Sequence, residues 1–141
     1  MIIQGISAFI ATAAFSILFY LPKKYLILAG ITGSIGWFIY LLVLRFSGDK
    51  TIANFIATLL VALTSHIMAR ICKTPVTMFL IPGIIPLVPG AGMYQIVQNI
   101  LNNTLNNASY YFFETLKMAG AIALGIFIID TLFRSKQNTH C

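Results

Sequence analysis

Charge is scarce in this chain, and acidic charge scarcer still. Three aspartates and glutamates stand against nine lysines and arginines in 141 residues, so only 9% of the chain is charged. A soluble domain carries roughly 25%. A chain that is 59% hydrophobic has too little polar material to face water on all sides. The same shortage bears on chemistry. Three carboxyl groups and two histidines are too few for a metal or acid–base constellation. No glycine-rich phosphate loop of the P-loop type is present, so ATP is not expected to be the energy source within this chain. Two cysteines, Cys72 and Cys141, lack metal-ligand spacing and read as free thiols. The chain is therefore not expected to be an enzyme, and no cofactor or metal is expected.

What is present is a series of charge-free stretches. Residues 2–21, 25–44 and 74–113 contain no Asp, Glu, Lys or Arg, and 51–69 contain only His66 as an ionisable group. About 20 apolar residues in a helix cross a hydrocarbon core, and a helix satisfies its backbone polar groups within its own segment. The pattern predicts an all-α integral membrane protein, one transmembrane domain over 1–141. Five spans are expected, near 2–21, 25–44, 51–71, 76–101 and 111–133, with a short basic tail at 134–141. The first stretch lacks a basic start and is too long for a signal-peptide core, so it reads as a retained span. The net charge of +6 reads as topology rather than as nucleic-acid binding.

Lysine and arginine counts give the orientation. With five crossings and the N-terminus outside, Lys23, Lys24, Arg70, Lys73, Arg134 and Lys136 fall on one side, and Arg45 and Lys50 on the other. A re-entrant fourth segment would even the count. The positive-inside rule thus favours five crossings, N-out and C-in.

The fourth stretch is irregular. From Ile81 to Tyr94 it holds Pro82, Gly83, Pro86, Pro89, Gly90 and Gly92. Each proline removes one helical hydrogen bond and restricts the residue before it. Two half-helices, near Val76–Leu80 and Gly90–Leu101, are expected with extended backbone between them. Irregular backbone at membrane depth persists only where protein or a watery cavity surrounds it, and broken helices often build transporter sites. The start of the second half-helix suits a carboxylate. Pro82, Gly83, Pro86, Pro89, Gly90, Gly92, Tyr94 and Gln95 are the expected substrate-path residues, a kinked packing helix being the alternative.

Elsewhere, Gly30, Gly33, Ser34 and Gly36 form a small-residue face suited to helix packing. His66, Glu114 and Asp130 are the ion-coupling candidates, since ionisable groups within spans are rare and often functional. Interfacial charge is the alternative for each. Lys117 follows Glu114 by three residues and Arg134 follows Asp130 by four.

The string Pro86-Leu87-Val88-Pro89-Gly90, with Tyr94 beyond it, resembles the signature of the smaller, C-terminal (YjjB-like) half of the ThrE-type threonine/serine exporters. Pro22, Gly33-Ser34-Ile35-Gly36, Arg70 and Pro75 fall in the matching order, so the resemblance covers roughly residues 10–100. It implies a secondary exporter of small carboxylate-bearing metabolites, threonine and serine or a dicarboxylate such as succinate. It also implies a larger YjjP-like partner half, alongside or instead of self-association in the bilayer. A non-transporting assembly subunit and a small homo-oligomeric channel are the alternatives.

Overall fold

A computed structural model describes residues 1–138, and the residues described contain helices and turns but no strand. The helices are α1 (Ile2–Leu18), α2 (Leu26–Ser47), α3 (Lys50–Cys72), α4 (Thr77–Ile84), α5 (Gly90–Leu101) and α6 (Leu105–Asn138). Single 3₁₀ turns at Lys23–Tyr25 and Ile85–Leu87 precede α2 and follow α4. The all-α membrane class expected from composition is the class observed. By length and composition α2, with the 3₁₀ turn before it, and α3 and α6 can each cross a bilayer, and α4 with α5 makes a fourth crossing if the bent pair is one span. α1 is apolar but shorter, at 17 residues.

Local sequence sets the ends. α1 stops three residues short of the expected Leu21, because Pro22 pushes Leu21 out of helical geometry. Tyr20 takes a left-handed φ of 58°, and the Leu21 N–H closes the end on the Ser16 carbonyl at 3.0 Å. Gly48, with φ 69°, caps α2, and one residue later the Asp49 carboxylate accepts from the Thr51 N–H at 2.8 Å to start α3. The α2–α3 turn is thus two residues long. α6 runs beyond the expected 111–133 at both ends. Its 34 residues span about 51 Å, more than the roughly 30 Å of a hydrocarbon core.

The fourth stretch departs from expectation in detail. α4 does not end at Leu80; it continues through Pro82 to Ile84, and Pro86 sits inside the 3₁₀ turn. Only Val88 and Pro89 leave helical geometry. The reason is that tighter i→i+3 bonds replace two of the lost ones. The Ile85 N–H donates to the Pro82 carbonyl, and the Val88 N–H to the Ile85 carbonyl at 3.2 Å. Burial of Pro82 and Gly83 supplies the rest, since Gly83 has no side chain to hold off Thr32 and Val61. Between α4 and α5 the axis bends by 47°, which turns the chain without reversing it.

Small residues hold the bundle together. A β-carbon added at Gly30 would lie 2.6 Å from the Phe9 ring, and one at Gly33 would overlap the Thr12 side chain, so both press α2 against α1. Ser34 reaches the Gly5 carbonyl of α1 at 3.4 Å. Gly36 instead faces α3, where Val61 fills the space its side chain would take. α5 folds back on the first third of α6, Gly92 against Thr115, while the rest of α6 lies along α3.

Candidate functional site

Two cavities lie at opposite ends of the α3–α6 pair. The first, of about 240 Å³, is walled by Lys50 and Asn54 of α3, by Glu114 and Met118 of α6, and by the stretch from Pro86 to Gly92 with Gln95. Trp37 and Tyr40 of α2 close it, their rings stacked at 5.2 Å between centroids. The Trp37 Nε1–H is buried without a hydrogen-bond partner. A lysine and a glutamate therefore line one space from two helices. Among the described residues both ion pairs fall on Asp130, so Lys50 and Glu114 do not close on each other.

The second cavity, of about 230 Å³, lies near the C-terminal ends of the same helices. Asp130 is its centre: Oδ1 stands 3.8 Å from His66 Nε2, and Oδ2 3.2 Å from Arg134 Nε. The His66 ring stacks on Phe133 at 4.4 Å, and the Arg70 guanidinium lies 4.8 Å from the same ring's centroid. The histidine is 7% exposed. Its contact with Asp130 is ionic only when the imidazole is protonated.

The sequence-expected residues divide between these places. Pro86, Pro89, Gly90, Gly92, Gln95 and Glu114 meet at the Lys50 cavity. Pro82 and Gly83 do not; they are core residues of α4. Tyr94 does not either, being 67% exposed, because the face of α5 turned to α6 carries Gly92 and Gln95 instead. The Gly90 N–H, expected to be free, is taken by the Val88 carbonyl at 2.7 Å in a tight turn around Pro89. His66 and Asp130 come together, while Glu114 stands at the other end. Lys50, Asn54, Trp37 and Tyr40 were not among the expected site residues. Asn54 carried the detectable signal, an amide one turn inside an apolar helix. Lys50 counted only as a topological charge. Cys72 is a free thiol at the end of α3, and Cys141 lies outside the described residues. Among the described residues no group of three or more His, Cys, Asp or Glu side chains is placed to hold a metal ion.

An all-helical membrane bundle with a proline-broken segment opening on a charged cavity has the build of a transporter component. A profile of the family described as Threonine/Serine exporter, ThrE matches residues 4–132. The chain belongs to that family, and it is a multi-pass membrane protein of exporter type. The match runs into α6 as far as residue 132, a helix that the proline–glycine resemblance did not reach. No curated protein and no solved structure gives a significant match.

Proposed function

We propose that this chain is a membrane subunit of a secondary exporter whose substrate is a small zwitterionic amino acid of the threonine/serine class. The observation that carries the reading is the unpaired Lys50 and Glu114 facing one cavity. A free amino acid offers a carboxylate to the first and an ammonium to the second. Asn54 and Gln95 supply neutral hydrogen-bonding groups for a hydroxyl or carboxylate edge. A dicarboxylate such as succinate fits less well, because Glu114 would repel its second charge.

The orientation belongs to the same proposal. Lys50 and Arg70 are twenty residues apart on α3, and Lys24 and Arg45 are twenty-one apart across the 3₁₀ turn and α2. Both separations give about 30 Å, the thickness of a hydrocarbon core. The basic ends at Lys23, Lys24, Arg70, Lys73 and Arg134 then face the cytoplasm of a bacterial inner membrane, and the Lys50 cavity faces outward. Five crossings, N-out and C-in, belong to this reading, with the bent pair of α4 and α5 as the fourth. The 47° bend supports a crossing rather than a return. With so few helices the pathway is completed by a larger YjjP-like half or by further copies. His66 with Asp130 is the proposed ion-coupling pair.

The test is efflux of labelled threonine, serine and succinate from cells with and without the chain and its partner. Lys50→Gln should depress efflux of every substrate with a carboxylate. Glu114→Gln should depress threonine and serine efflux but leave or raise succinate efflux. Equal indifference to both changes would end the assignment of this cavity.

A further inference from the structure

This fold buries several side-chain polar atoms without hydrogen-bond partners. Among the described residues they are Trp37 Nε1, Thr115 Oγ1, Ser65 Oγ and Thr74 Oγ1. Trp37 lines the Lys50 cavity, and Thr115 follows Glu114 on α6. Thr74 lines the His66 cavity, and Ser65 immediately precedes His66 on α3. Buried polar groups are ordinarily paired, and each exception asks for a reason.

Ser65 is the informative one. Hydroxyls in these helices regularly donate to the carbonyl four residues back: Thr12 to Ala8, Ser16 to Thr12, Thr32 to Leu28 and Thr58 to Asn54, all within 2.9 Å. Ser65 makes no such bond to the Val61 carbonyl; the neighbouring Thr64 Oγ1 instead shares its proton between the Leu60 carbonyl at 2.9 Å and the Val61 carbonyl at 3.0 Å. The Ser65 hydroxyl is left over, in a residue of zero exposure. It also belongs to a pattern. Asn54, Thr58 and Ser65 recur at intervals of four and seven, so they share one face of α3. They are 3%, 0% and 0% exposed. The stripe starts in the Lys50 cavity and, about 16 Å on at 1.5 Å per residue, reaches Ser65 beside the His66 cavity. Across from Thr58 stands Gly125 of α6, whose lack of a side chain lets the two helices close on each other there. Hydroxyl and amide groups often pack between membrane helices, but a stripe of them that joins two cavities and ends on an unpartnered hydroxyl can also replace water around a moving solute.

We propose that the transported solute, a small zwitterion, moves between the two cavities along the α3–α6 seam, handed from Asn54 past Thr58 to the free hydroxyl of Ser65. This rests on the export reading above. The structure then has the seam closed, with a cavity at each mouth.

Cysteine accessibility tests it in cells that make the full chain. In a background with Cys72→Ser and Cys141→Ser, Ser65→Cys, Thr58→Cys and Ile67→Cys are each exposed to 2-aminoethyl methanethiosulfonate, which reacts with thiolates in water. Ile67 is on the same helix but 44% exposed on the bundle's outer face, where lipid would surround it. Ser65→Cys and Thr58→Cys should react roughly tenfold faster than Ile67→Cys, because only a hydrated thiol ionises readily. Saturating threonine should slow both. Ser65→Ala should cut threonine efflux several-fold at unchanged protein level. Reaction at positions 58 and 65 no faster than at 67 would overturn the seam as the path. Fast reaction at 58 and 65 without threonine efflux from any variant would keep the path and remove the amino-acid reading. If Ser65→Cys does not accumulate, Thr58→Cys and Ser65→Ala decide the matter by the same criteria.

Discussion

Gly125 of α6 lies so close to α3 that a β-carbon added to it would stand 3.2 Å from both Cβ and Cγ2 of Thr58, and 3.4 Å from the Phe55 carbonyl oxygen. Gly125→Val must therefore force α3 and α6 apart. Overpacking of this kind costs about 1–3 kcal/mol. The expected result is a lower melting temperature in detergent and less protein in the membrane. Gly120→Val, where an added β-carbon meets nothing within 4 Å, is the matched control and should be near neutral. Equal behaviour of the two would mean that the seam is not packed as described.

The α1–α2 contact makes a second case. Any side chain at Gly33 runs into Thr12. Gly33→Leu should reduce folded yield more than Gly30→Ala, because at Gly30 the obstacle is the edge of the Phe9 ring, which can swing aside. Gly33→Ala combined with Thr12→Gly should recover much of the loss. The measurement is the fraction that stays monodisperse after extraction, and failure of the pair to recover would place the damage elsewhere.

These contacts explain how far the sequence could be read. Charge-free stretches disclose the helices because lipid permits almost nothing else, and Pro22, Gly48 and Pro75 mark their ends by local sterics alone. Which faces meet was partly legible: a run such as Gly30, Gly33, Ser34 and Gly36 announces close contact but not that its first members face α1 and its last faces α3. The broken segment was legible as broken. Its exact path was not, since burial of Pro82 and Gly83 against Thr32 and Val61 carries α4 further than proline chemistry alone suggests. The Lys50 cavity was half legible for the same reason. Its proline–glycine wall is contiguous in sequence, but Lys50, Asn54 and Trp37 join it only through helix packing.

At the other cavity, Asp130 holds His66 and Arg134 at once. If the pair couples export to an ion gradient, Asp130→Asn and His66→Gln should each lower efflux without lowering the amount of protein. The double variant should be little worse than either single one, because each change breaks the same contact. Efflux normalised to membrane content is the measurement. Losses that simply add would show that the two residues act separately.

The proposed orientation predicts thiol labelling. Cys72 is at the basic end of α3, and Cys141 is the last residue of the basic tail. A membrane-impermeant maleimide should label neither in intact cells and should label at least Cys141 after permeabilisation. Labelling of Cys141 from outside would reverse or re-count the crossings.

The break before α5 offers the most selective variants, because its two glycines differ in what surrounds them. An added β-carbon at Gly90 meets nothing within 4 Å, at the wall of the Lys50 cavity. One at Gly92 would overlap Thr115 Oγ1. Gly90→Val should thus insert and fold normally while its side chain narrows the cavity, and efflux should fall several-fold at constant protein level. Gly92→Ala should instead lower the protein level itself. Adding Thr115→Ala should restore it, since the obstructing atom is the hydroxyl and the Thr115 Cβ is a tolerable 3.5 Å away. Pro89→Ala should be milder than either, because the turn it shapes is also held by the Gly90 N–H on the Val88 carbonyl. Tyr94→Phe should change little, because Tyr94 faces outward. The readouts are efflux of labelled threonine and immunodetection of the membrane fraction, measured on the same cells. Normal efflux through Gly90→Val would remove this backbone from the path, and unchanged accumulation of Gly92→Ala would contradict the α5–α6 contact.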